Sequence, residues 1–426
     1  MHIDRSKLVG VIDEGTNSAQ FIIYKIPEFE EVASHQMDIK VITPKDGWVE
    51  QDPLEILETV RQCAKVACEK LTALDYHIKD IVCIGITNQR ETTVVWDKIT
   101  GKPLYQAIGW NDIRTDETVD KILAKLPDQN KNYFKSISGL TISPYFSALK
   151  LRWLSDNIPS VKKAISNRRC LFGTIDSWLI WNLTGGPKGG LHVTDVTNAS
   201  RTLLMNIETL NWDPLLTKTF SVSPYILPEI RSSADIVGPV SDGSILNGIP
   251  ISGVLGNQQS SLIGQCCLKP GMTKNTYRSG CFLLCNTGEQ KVLSTHGLVT
   301  TVAYKLGKDK PPVYALEVRA QHRDTTALGV AMVAAHADGI NAFVLKPDTR
   351  LPNHLQDTYL PTTTDTERNL RYTKWKMAVQ RSLGWAVTKK SEAMTDERFR
   401  LLASIPCSLF IFSTFLMLVH SRRHIS

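Results

Sequence analysis

The chain has 426 residues, of which 42% are hydrophobic and 21% are charged, and its formal net charge is +7. These values are typical of a soluble globular protein long enough for two domains. No basic run is interleaved with aromatic residues, so we expect no nucleic-acid partner. The nine cysteines include no C-x-x-C pair that would indicate zinc, and the polar residues 1–7 do not resemble a secretory signal. We therefore expect a protein of the reducing, cytoplasmic compartment.

The first predicted element is a β-hairpin near the start of the chain. Residues 8–13 form an apolar strand ending in Asp13, residues 14–18 form a turn with glycine and hydroxyl groups, and residues 21–24 form the return strand. Backbone N–H groups and hydroxyls at such a tip can bind phosphate, and a carboxylate at a strand end can approach magnesium. Acidic strand ends and Gly-Thr turns are also common in proteins that bind neither, which is the alternative.

A helix and a second buried strand follow the hairpin. The helix begins after its predicted N-cap, Asp52, and extends to about residue 74. Residues 81–86 form an apolar strand that presents Arg90 and Glu91 beyond its end. The Arg90 guanidinium can donate two parallel hydrogen bonds and the Glu91 carboxylate can accept one, which suits a small polyhydroxy compound. Trp110 could pack against the carbon backbone of such a compound. The alternative is a surface ion pair beside a core tryptophan.

The middle of the chain alternates helical patterns with polar loops. Residues 145–154 and the segment after Gly173 have helical patterns, whereas residues 194–201 are predicted to form a polar loop of hydroxyls and amides.

A glycine-bearing stretch near residue 250 carries the densest group of polar side chains. Residues 251–256 form a buried strand, and a tight turn is predicted to follow it at Asn257, Gln258 and Gln259. Ligands of open α/β sheets bind at such strand ends. A second turn adds a candidate phosphate cradle at Arg278, Ser279 and Gly280. A plain strand-to-helix connection is the alternative for either turn.

The pattern changes after two further strand-like runs at residues 298–306 and 314–317. The charged passage 318–323 has neither a strand period nor a helix period, and a helix capped by Asp324 follows it directly. That helix is therefore predicted to arrive without the strands that should precede it.

Residues 401–419 near the C-terminal end carry no charge and have arginines on both sides. A helix of this length extends about 29 Å, close to the hydrocarbon thickness of a bilayer. The basic flanks favour a membrane anchor, and a buried core helix is the alternative.

Four stretches of this sequence resemble the glycerol kinases of the FGGY carbohydrate kinase family. They are Asn88-Gln-Arg-Glu-Thr-Thr-Val-Val-Trp, Phe172-Gly-Thr-Ile-Asp-Ser-Trp-Leu, Thr194-Asp-Val-Thr-Asn-Ala-Ser-Arg-Thr, and Asn275-Thr-Tyr with Gly280-Cys-Phe. The resemblance implies an α/β fold with two actin-like, ribonuclease H-like lobes and a cleft that binds ATP and glycerol. The implied reaction moves the γ-phosphate of ATP to a terminal hydroxyl of glycerol with magnesium.

Carried over residue by residue, the resemblance implies a glycerol pocket formed by Arg90, Glu91, Trp110, Tyr145, Gln258 and Phe282. It implies nucleotide and phosphate binding by Asp13, Thr16, Asn17, Ser18, Ser279 and Gly280, with Asp13 also at the magnesium ion. The implied organisation is an N-terminal lobe at 1–255, a shortened C-terminal lobe at 256–390, and a tail at 391–426 that holds the candidate anchor. The resemblance suggests the mitochondrial outer membrane for this anchor and leaves a homo-oligomer open.

Several residues depart from the family pattern. Asn257 stands where the family has the aspartate that takes the proton of the glycerol hydroxyl, and a carboxamide cannot accept that proton at neutral pH. Arg278 stands at a family glycine in the phosphate-side turn. Glu14 and Gln20 replace a glutamine and an arginine, which is expected to add negative charge near a polyanionic nucleotide and to remove positive charge.

The largest departure is near residues 317–324, where the family continues into most of its second lobe. Loss of central strands would leave strand edges unpaired. Three hypotheses follow for the chain as a whole: a working glycerol kinase, a catalytically silent homologue that binds glycerol or partner proteins at a membrane, and a degenerate product with a partial lobe.

Overall fold

In a computed structural model of the chain, the described residues are 7–277, 281–295, 297–319, 332–337 and 340. The strands are β1 (Leu8–Glu14), β2 (Ser18–Lys25), β3 (Glu30–Asp38), β4 (Glu50–Gln51), β5 (Ile81–Asn88), β6 (Val94–Asp97), β7 (Ala107–Ile108), β8 (Cys170–Gly173), β9 (Val193–Asp195), β10 (Met205–Asn206), β11 (Asn211–Trp212), β12 (Glu229–Arg231), β13 (Gly238–Pro239), β14 (Pro250–Gly256), β15 (Thr273–Tyr277), β16 (Cys281–Gly288), β17 (Val299–Tyr304) and β18 (Val313–Arg319).

The α-helices are α1 (Pro53–Ala73), α2 (Asp116–Leu123), α3 (Lys135–Ser138), α4 (Ser147–Asn157), α5 (Pro159–Ser166), α6 (Ile175–Leu183), α7 (Val196–Ala199), α8 (Pro214–Thr219) and α9 (Asn257–Gly264). Short 3-10 turns lie at Ile78–Asp80, Pro127–Gln129, Gly186–Lys188 and Pro224–Ile226, and residues 332–336 are also helical.

A six-stranded sheet with the order β13-β14-β5-β1-β2-β3 organises the molecule. β1, β2 and β3 are antiparallel neighbours, whereas β5 is parallel to both β1 and β14. Glu14 and Gly256 are both in register with Asn88, so the three parallel strands end at the same level. Carboxyl ends of parallel strands are where ligands bind in open α/β sheets. The sheet therefore delivers the segments after residues 14, 88 and 256 to one edge.

A second, antiparallel sheet has the order β15-β16-β18-β17. Tyr277 is in register with Cys281, so β15 and β16 flank residues 278–280, and the predicted phosphate cradle there lies outside the described residues. The prediction that residues 318 and 319 have no strand structure is wrong, because β18 continues through both by pairing with β16. Backbone hydrogen bonds to β16 extend the strand here, although the side chains of residues 318 and 319 do not follow a strand pattern.

The two faces of the six-stranded sheet are covered by different elements. On one face, α1 and α6 pack over β1, β2 and β5, and Trp96 lies with its ring centroid 5.3 Å from that of Trp178. On the other face, α9, the second sheet and residues 332–337 form a separate apolar cluster with Val9, Val11 and Leu255. The three parallel strands β1, β5 and β14 are almost wholly buried, as expected for parallel strands with apolar residues on both sides.

Residues 332–337 lie close to β14. Ser252 Oγ donates to the carbonyl oxygen of Ala334 at 2.9 Å, and a Cβ atom placed on Gly253 would be only 2.7 Å from Ala334 N. Glycine at position 253 thus permits the backbone of this segment to approach the strand directly. The predicted cap of the segment's helix, Asp324, lies outside the described residues.

The predicted start of helix α1 is confirmed, whereas the predicted polar loop at residues 194–201 is not. α1 begins as expected, because the Asp52 side chain accepts from Leu54 N at 2.8 Å. The predicted polar loop at 194–201 is wrong: β9 and α7 occupy most of it, since Asp195 caps α7 by accepting from the Thr197 and Asn198 backbone N–H groups. A four-residue helix is too short to show an apolar period.

The prediction that Asn257 lies in a tight turn after the strand is also wrong. Gly256 is the N-cap of α9, so Asn257 is already the first residue of that helix. None of the helices in residues 7–340 that the structure describes has the length and hydropathy of a membrane-spanning segment, and the candidate anchor at 401–419 lies outside the described residues.

Substitution Gly253→Ala should destabilise the protein by about 1–3 kcal/mol, because the added methyl group meets backbone atoms that cannot rotate away. The free energy of unfolding from denaturant titration measures this loss, and hydrogen exchange should show reduced protection at residues 332–337. Gly10→Ala is the control: its methyl group meets the Phe21 ring instead, so it should leave protection at 332–337 unchanged. Wild-type stability for Gly253→Ala would contradict the packing described.

Candidate functional site

The six residues predicted to bind a polyol lie together at the common edge of the parallel strands. Trp110 packs edge-on against Tyr145 and Phe282, with centroid distances of 5.8 and 6.1 Å. The Arg90 guanidinium lies 5.3 Å from the Phe282 ring centroid. Gln258 and Glu91 join the group through the contacts described below. The result is an aromatic wall beside buried polar side chains, a combination that suits a small hydroxylated molecule.

Four buried charges form a continuous chain of ion pairs beneath this wall. Arg90 binds Glu317 with both terminal nitrogens, at 2.7 and 3.1 Å. Arg201 Nη2 donates to the same Glu317 carboxylate at 3.0 Å, and Arg201 Nε donates to Glu91 Oε1 at 2.5 Å. Burial alone would raise the pKa of Glu317, but Arg201 and Arg90 bring that pKa down to about 2. Glu317 therefore stays ionised and fixes two guanidinium groups.

Sequence reasoning missed Arg201 and Glu317 as site residues. Glu317 was visible only as the acidic end of a strand-like run, and Arg201 only as the last residue of a polar stretch. In the sequence, each of the two is only a charged residue next to an apolar segment, and that pattern does not show which residue it pairs with. Their partners lie far away in sequence, so only the tertiary structure joins them to Arg90 and Glu91.

Glu91 is held in an unusual backbone conformation. Its φ of 61° lies in the left-handed region, which costs a non-glycine residue about 1 kcal/mol or more. Its carbonyl oxygen accepts from Ser147 Oγ at 3.1 Å and from Lys150 Nζ at 3.3 Å. Burial lowers the pKa of Lys150 to about 7. These contacts from α4 hold the strained residue so that its carboxylate faces Arg201.

The amide of Gln258 is oriented by a buried lysine. Lys274 Nζ donates to Gln258 Oε1, to Thr276 Oγ1 at 2.6 Å and to the Phe282 carbonyl oxygen at 3.3 Å. An ammonium group can only donate, so the atom that faces it must be the amide oxygen. The amide nitrogen of Gln258 is thereby directed away from Lys274 as a donor.

Asn257 occupies the first position of α9 and is half-buried. Gly256, the N-cap, has no side chain to cap the helix, and a Cβ atom there would lie 2.7 Å from Arg90 Cδ. Gly256 N instead donates to Thr197 Oγ1 at 2.9 Å. The start of α9 therefore lies directly against the Arg90 stem, with its first-turn N–H groups at the edge of the site.

The predicted nucleotide side of the site begins at the β1–β2 hairpin. Asp13 Oδ2 accepts from Gln20 Nε2 at 2.7 Å, and Thr16 Oγ1 accepts from Trp110 Nε1 at 2.9 Å. Asn17 is exposed and Ser18 is half-buried at the tip. Trp110 thus connects the aromatic wall to the hairpin. Arg278, Ser279 and Gly280 lie outside the described residues.

Glu14 does not carry the extra negative charge expected from the sequence at neutral pH. Its side chain is fully buried, and Gln89 Nε2 donates to Glu14 Oε1 at 2.7 Å. Burial raises the pKa of Glu14 to about 8 against the opposing effect of Gln89. The expectation is therefore wrong for pH 7, because the buried carboxyl group is mostly protonated there.

Asp13 is the carboxylate that the sequence predicts to hold magnesium at this hairpin, and nothing in the structure tests that prediction. Among the described residues, no group of three or more His, Cys, Asp or Glu side chains could hold a metal ion. Magnesium commonly binds one or two carboxylates and takes its remaining ligands from water and substrate phosphates. A single aspartate at a hairpin that is predicted to bind phosphate is compatible with that mode.

Comparison with known proteins identifies relatives of this chain. The family model described as the FGGY family of carbohydrate kinases, N-terminal domain, matches residues 8–264. A probable glycerol kinase of Caenorhabditis elegans is 47% identical over 310 residues, which cover 73% of this chain and 61% of that protein. A glycerol kinase of Arabidopsis thaliana is 50% identical over 310 residues, covering 72% and 59%. The chain spans about three fifths of the length of these curated relatives.

Two solved structures of sugar kinases are also similar to this chain. The crystal structure of Plasmodium falciparum glycerol kinase with ADP matches with a TM-score of 0.68 and 41% identity, covering 74% of this chain and 62% of that one. The xylulose kinase of Rhodospirillum rubrum matches with a TM-score of 0.64 at 19% identity, covering 74% and 61%. The latter likeness bears on the fold alone. Together they confirm the predicted α/β class and the two-lobed actin-like architecture of the relatives.

Glu14→Gln should remove a pH-dependent loss of stability. Because the pKa of Glu14 rises from 4.5 to about 8 on folding, its contribution is fully present below pH 4.5 and is lost as the pH rises through about 8. The stability of the variant relative to wild type should therefore increase between pH 5 and pH 9. Denaturant titration over that range measures the difference, and Glu28→Gln at an exposed position is the control. A pH-independent difference would refute the assignment.

Glu317→Gln should destabilise the protein by about 3–5 kcal/mol, because it leaves two buried arginines without their shared carboxylate. The double variant Glu317→Gln with Arg201→Gln removes one anion and one cation together. Its loss in free energy of unfolding should therefore be smaller than the sum of the losses of the two single variants. A double-mutant cycle of unfolding free energies tests this. Additive losses would mean that Glu317 and Arg201 are not coupled.

Proposed function

This chain belongs to the FGGY family of carbohydrate kinases, and from that premise we propose that it binds glycerol and transfers a phosphoryl group from ATP to one terminal hydroxyl. The observation that carries the proposal is the grouping of Arg90, Glu91 and Gln258 beside the aromatic wall of Trp110 and its neighbours. Donors and an acceptor recognise the hydroxyls, and the wall packs against the carbon chain. The glycerol kinase relatives support the choice of glycerol.

The donors left on Arg90 favour a polyol. A guanidinium has five N–H groups, of which Glu317 takes two and Gln259 Oε1 takes one at 3.2 Å. Among the described residues, Nε and the second Nη2 hydrogen have no acceptor, and they lie on one edge of the group. Two parallel donors on one edge match two adjacent hydroxyl oxygens. Glu91 Oε2 and the Gln258 amide nitrogen supply an acceptor and a further donor.

ATP is the phosphoryl donor in this proposal. The hairpin residues Thr16, Asn17 and Ser18 would bind the phosphates with hydroxyl, amide and backbone N–H groups. Asp13 would hold magnesium, which supplies charge neutralisation on the transferring phosphate when bound. Support comes from the fit of the hairpin and from the relative solved with ADP. Phosphoryl transfer depends mainly on positioning and electrostatic stabilisation, which these residues provide.

Asn257 favours a second candidate, a homologue that binds the polyol with little turnover. The carboxamide can bind the attacking hydroxyl but cannot take its proton, and a positioned base typically contributes about 10²–10⁴ in rate.

The cytoplasmic location and the tail anchor at 401–419 are part of the proposal and rest on the sequence alone. Deleting residues 401–419 should move the protein from the membrane fraction to the soluble fraction of cells. An unchanged membrane fraction would rule the anchor out. Sedimentation of the same deletion variant would test the homo-oligomer suggested by the resemblance.

Asn257→Asp should increase glycerol-dependent phosphoryl transfer by about 10²–10⁴, since it places a proton acceptor at the start of α9. Coupled detection of ADP release measures the rate, and Asn257→Ala is the control that removes the amide without adding a base. If Asn257→Asp stays inactive while glycerol and ATP both bind, the defect lies on the nucleotide side and the second candidate stands.

A further inference from the structure

Gln89 is a buried side chain of the Asn88-Gln-Arg-Glu stretch that the proposed function does not use. It lies between the end of β5 and the two residues predicted to bind the polyol, Arg90 and Glu91, and it is only 1% exposed. A buried primary amide costs free energy unless its nitrogen and its oxygen are both hydrogen-bonded. The partners of Gln89 therefore indicate which segments its side chain holds in place.

The amide nitrogen of Gln89 binds two segments on the predicted nucleotide side. Gln89 Nε2 donates to Glu14 Oε1 at the end of β1, at 2.7 Å, and to Gln51 Oε1 in β4, at 2.8 Å. Gln51 Nε2 in turn donates to the carbonyl oxygen of Thr16 at 2.9 Å. Glu14 and Gln51 are both buried. Gln89 thereby holds the base of the β1–β2 hairpin through Glu14 and its tip through Gln51.

The amide oxygen of Gln89 is connected to the polyol side. Gln89 Oε1 accepts from Thr92 Oγ1 at 2.9 Å, and the same Thr92 oxygen accepts from the backbone N–H of Trp110 at 3.1 Å. Trp110 is also bonded directly to the hairpin, because its indole N–H donates to Thr16 Oγ1 at 2.9 Å. The aromatic wall and the hairpin tip are therefore joined twice, once directly and once through the Gln89 amide.

This closed ring of hydrogen bonds can transmit the effect of one ligand to the other. A polyol that packs against Trp110 restricts the indole, and both connections then restrict the hairpin tip. A nucleotide that orders the tip restricts the indole in return. Each ligand supplies part of the ordering that the other requires, so their binding free energies are coupled with positive sign. A neutral amide suits the centre of such a ring because it donates and accepts at once.

We propose that Gln89 is a positioning residue that couples polyol binding at Trp110 to nucleotide binding at the β1–β2 hairpin. It acts through Thr92 on one side and through Gln51 on the other, and not by binding either ligand. The proposal rests on the proposed function, since it requires that both ligands bind. Glycerol should bind at least about fivefold more tightly when the nucleotide is present, which corresponds to about 1 kcal/mol of coupling.

The test is calorimetric titration of the full chain with glycerol, without and with a saturating non-hydrolysable ATP analogue and magnesium. The ratio of the two glycerol dissociation constants is the coupling factor, and titration in the reverse order must give the same factor. Gln89→Met keeps the length of the side chain and removes its hydrogen bonds, so the factor should fall below about twofold. Gln62→Met on α1, where the amide donates to Glu58 at the surface, is the control and should keep the wild-type factor.

Thr92→Val breaks the ring on the polyol side alone. A methyl group replaces the hydroxyl that bridges Gln89 and Trp110, while the bonds from Gln89 to Glu14 and Gln51 remain. This variant should also lower the coupling factor below about twofold. A purely structural role of Gln89 would weaken both ligands separately and leave the factor unchanged, so the factor distinguishes positioning from a loss of stability.

Hydrogen exchange of the wild-type chain gives a measurement that does not depend on the folding of a variant. Glycerol alone should slow exchange of the backbone N–H groups of residues 15–18 more than that of β3, which belongs to the same sheet but lies outside the ring. An equal effect on both segments, or no effect at the hairpin tip, would overturn the inference.

The outcomes separate this inference from the proposed function. If both ligands bind the wild type with a coupling factor of about one, the inference is overturned and the proposed function stands. The same holds if the factor is unchanged in Gln89→Met and Thr92→Val. If glycerol or the nucleotide does not bind the wild type, the proposed function fails and the inference fails with it.

Discussion

Glu317 holds the site together because it binds two arginines that come from separate parts of the fold. Arg90 follows a strand of the six-stranded sheet, Arg201 follows the short helix α7, and Glu317 itself belongs to the second sheet. Arg201 also binds Glu91, so Arg90 and Glu91, the two residues predicted to bind the polyol, are held by the same network. A buried carboxylate with two guanidinium partners stays charged and tightly placed. A displacement of β18 would therefore move the carboxylate that holds Arg90 in place.

The parallel pairing of β1, β5 and β14 is the second constraint on the site. Because these strands end in register, the residues after them share one edge, and none of the three segments has to extend far to reach a ligand. Gly253 and Gly256 serve this arrangement in different ways. The first admits residues 332–337 against the strand, and the second admits the Arg90 stem against the start of α9. Side chains at either position would separate elements that the site requires in contact.

Burial decides the charge state of the hairpin in a way that residue identity does not. Glu14 looks like an added negative charge beside phosphates, yet its surroundings keep the carboxyl group protonated at neutral pH. Lys274, in β15, is likewise buried, and it orients the Gln258 amide. A substitution judged by its formal charge alone would be misread at position 14. The desolvation of each group, which depends on its neighbours, has to be known first.

The amino-acid pattern was enough to predict the α/β class, the hairpin, the capped helix α1, the strands that precede Arg90 and Gln258, and the resemblance to the sugar kinases. These features are local: apolar runs, caps and short motifs are legible within about ten to twenty residues. It placed residues 194–201 in a loop and Asn257 in a turn, because a four-residue helix and a helix that begins directly at a strand end have no period to detect. The tertiary structure alone decided that Glu317 and Arg201 belong to the site, that Lys274 orients Gln258, and that Glu14 is neutral. Ion pairs across 110 to 227 residues and the burial of a charge depend on which distant segments pack together, which no local pattern records.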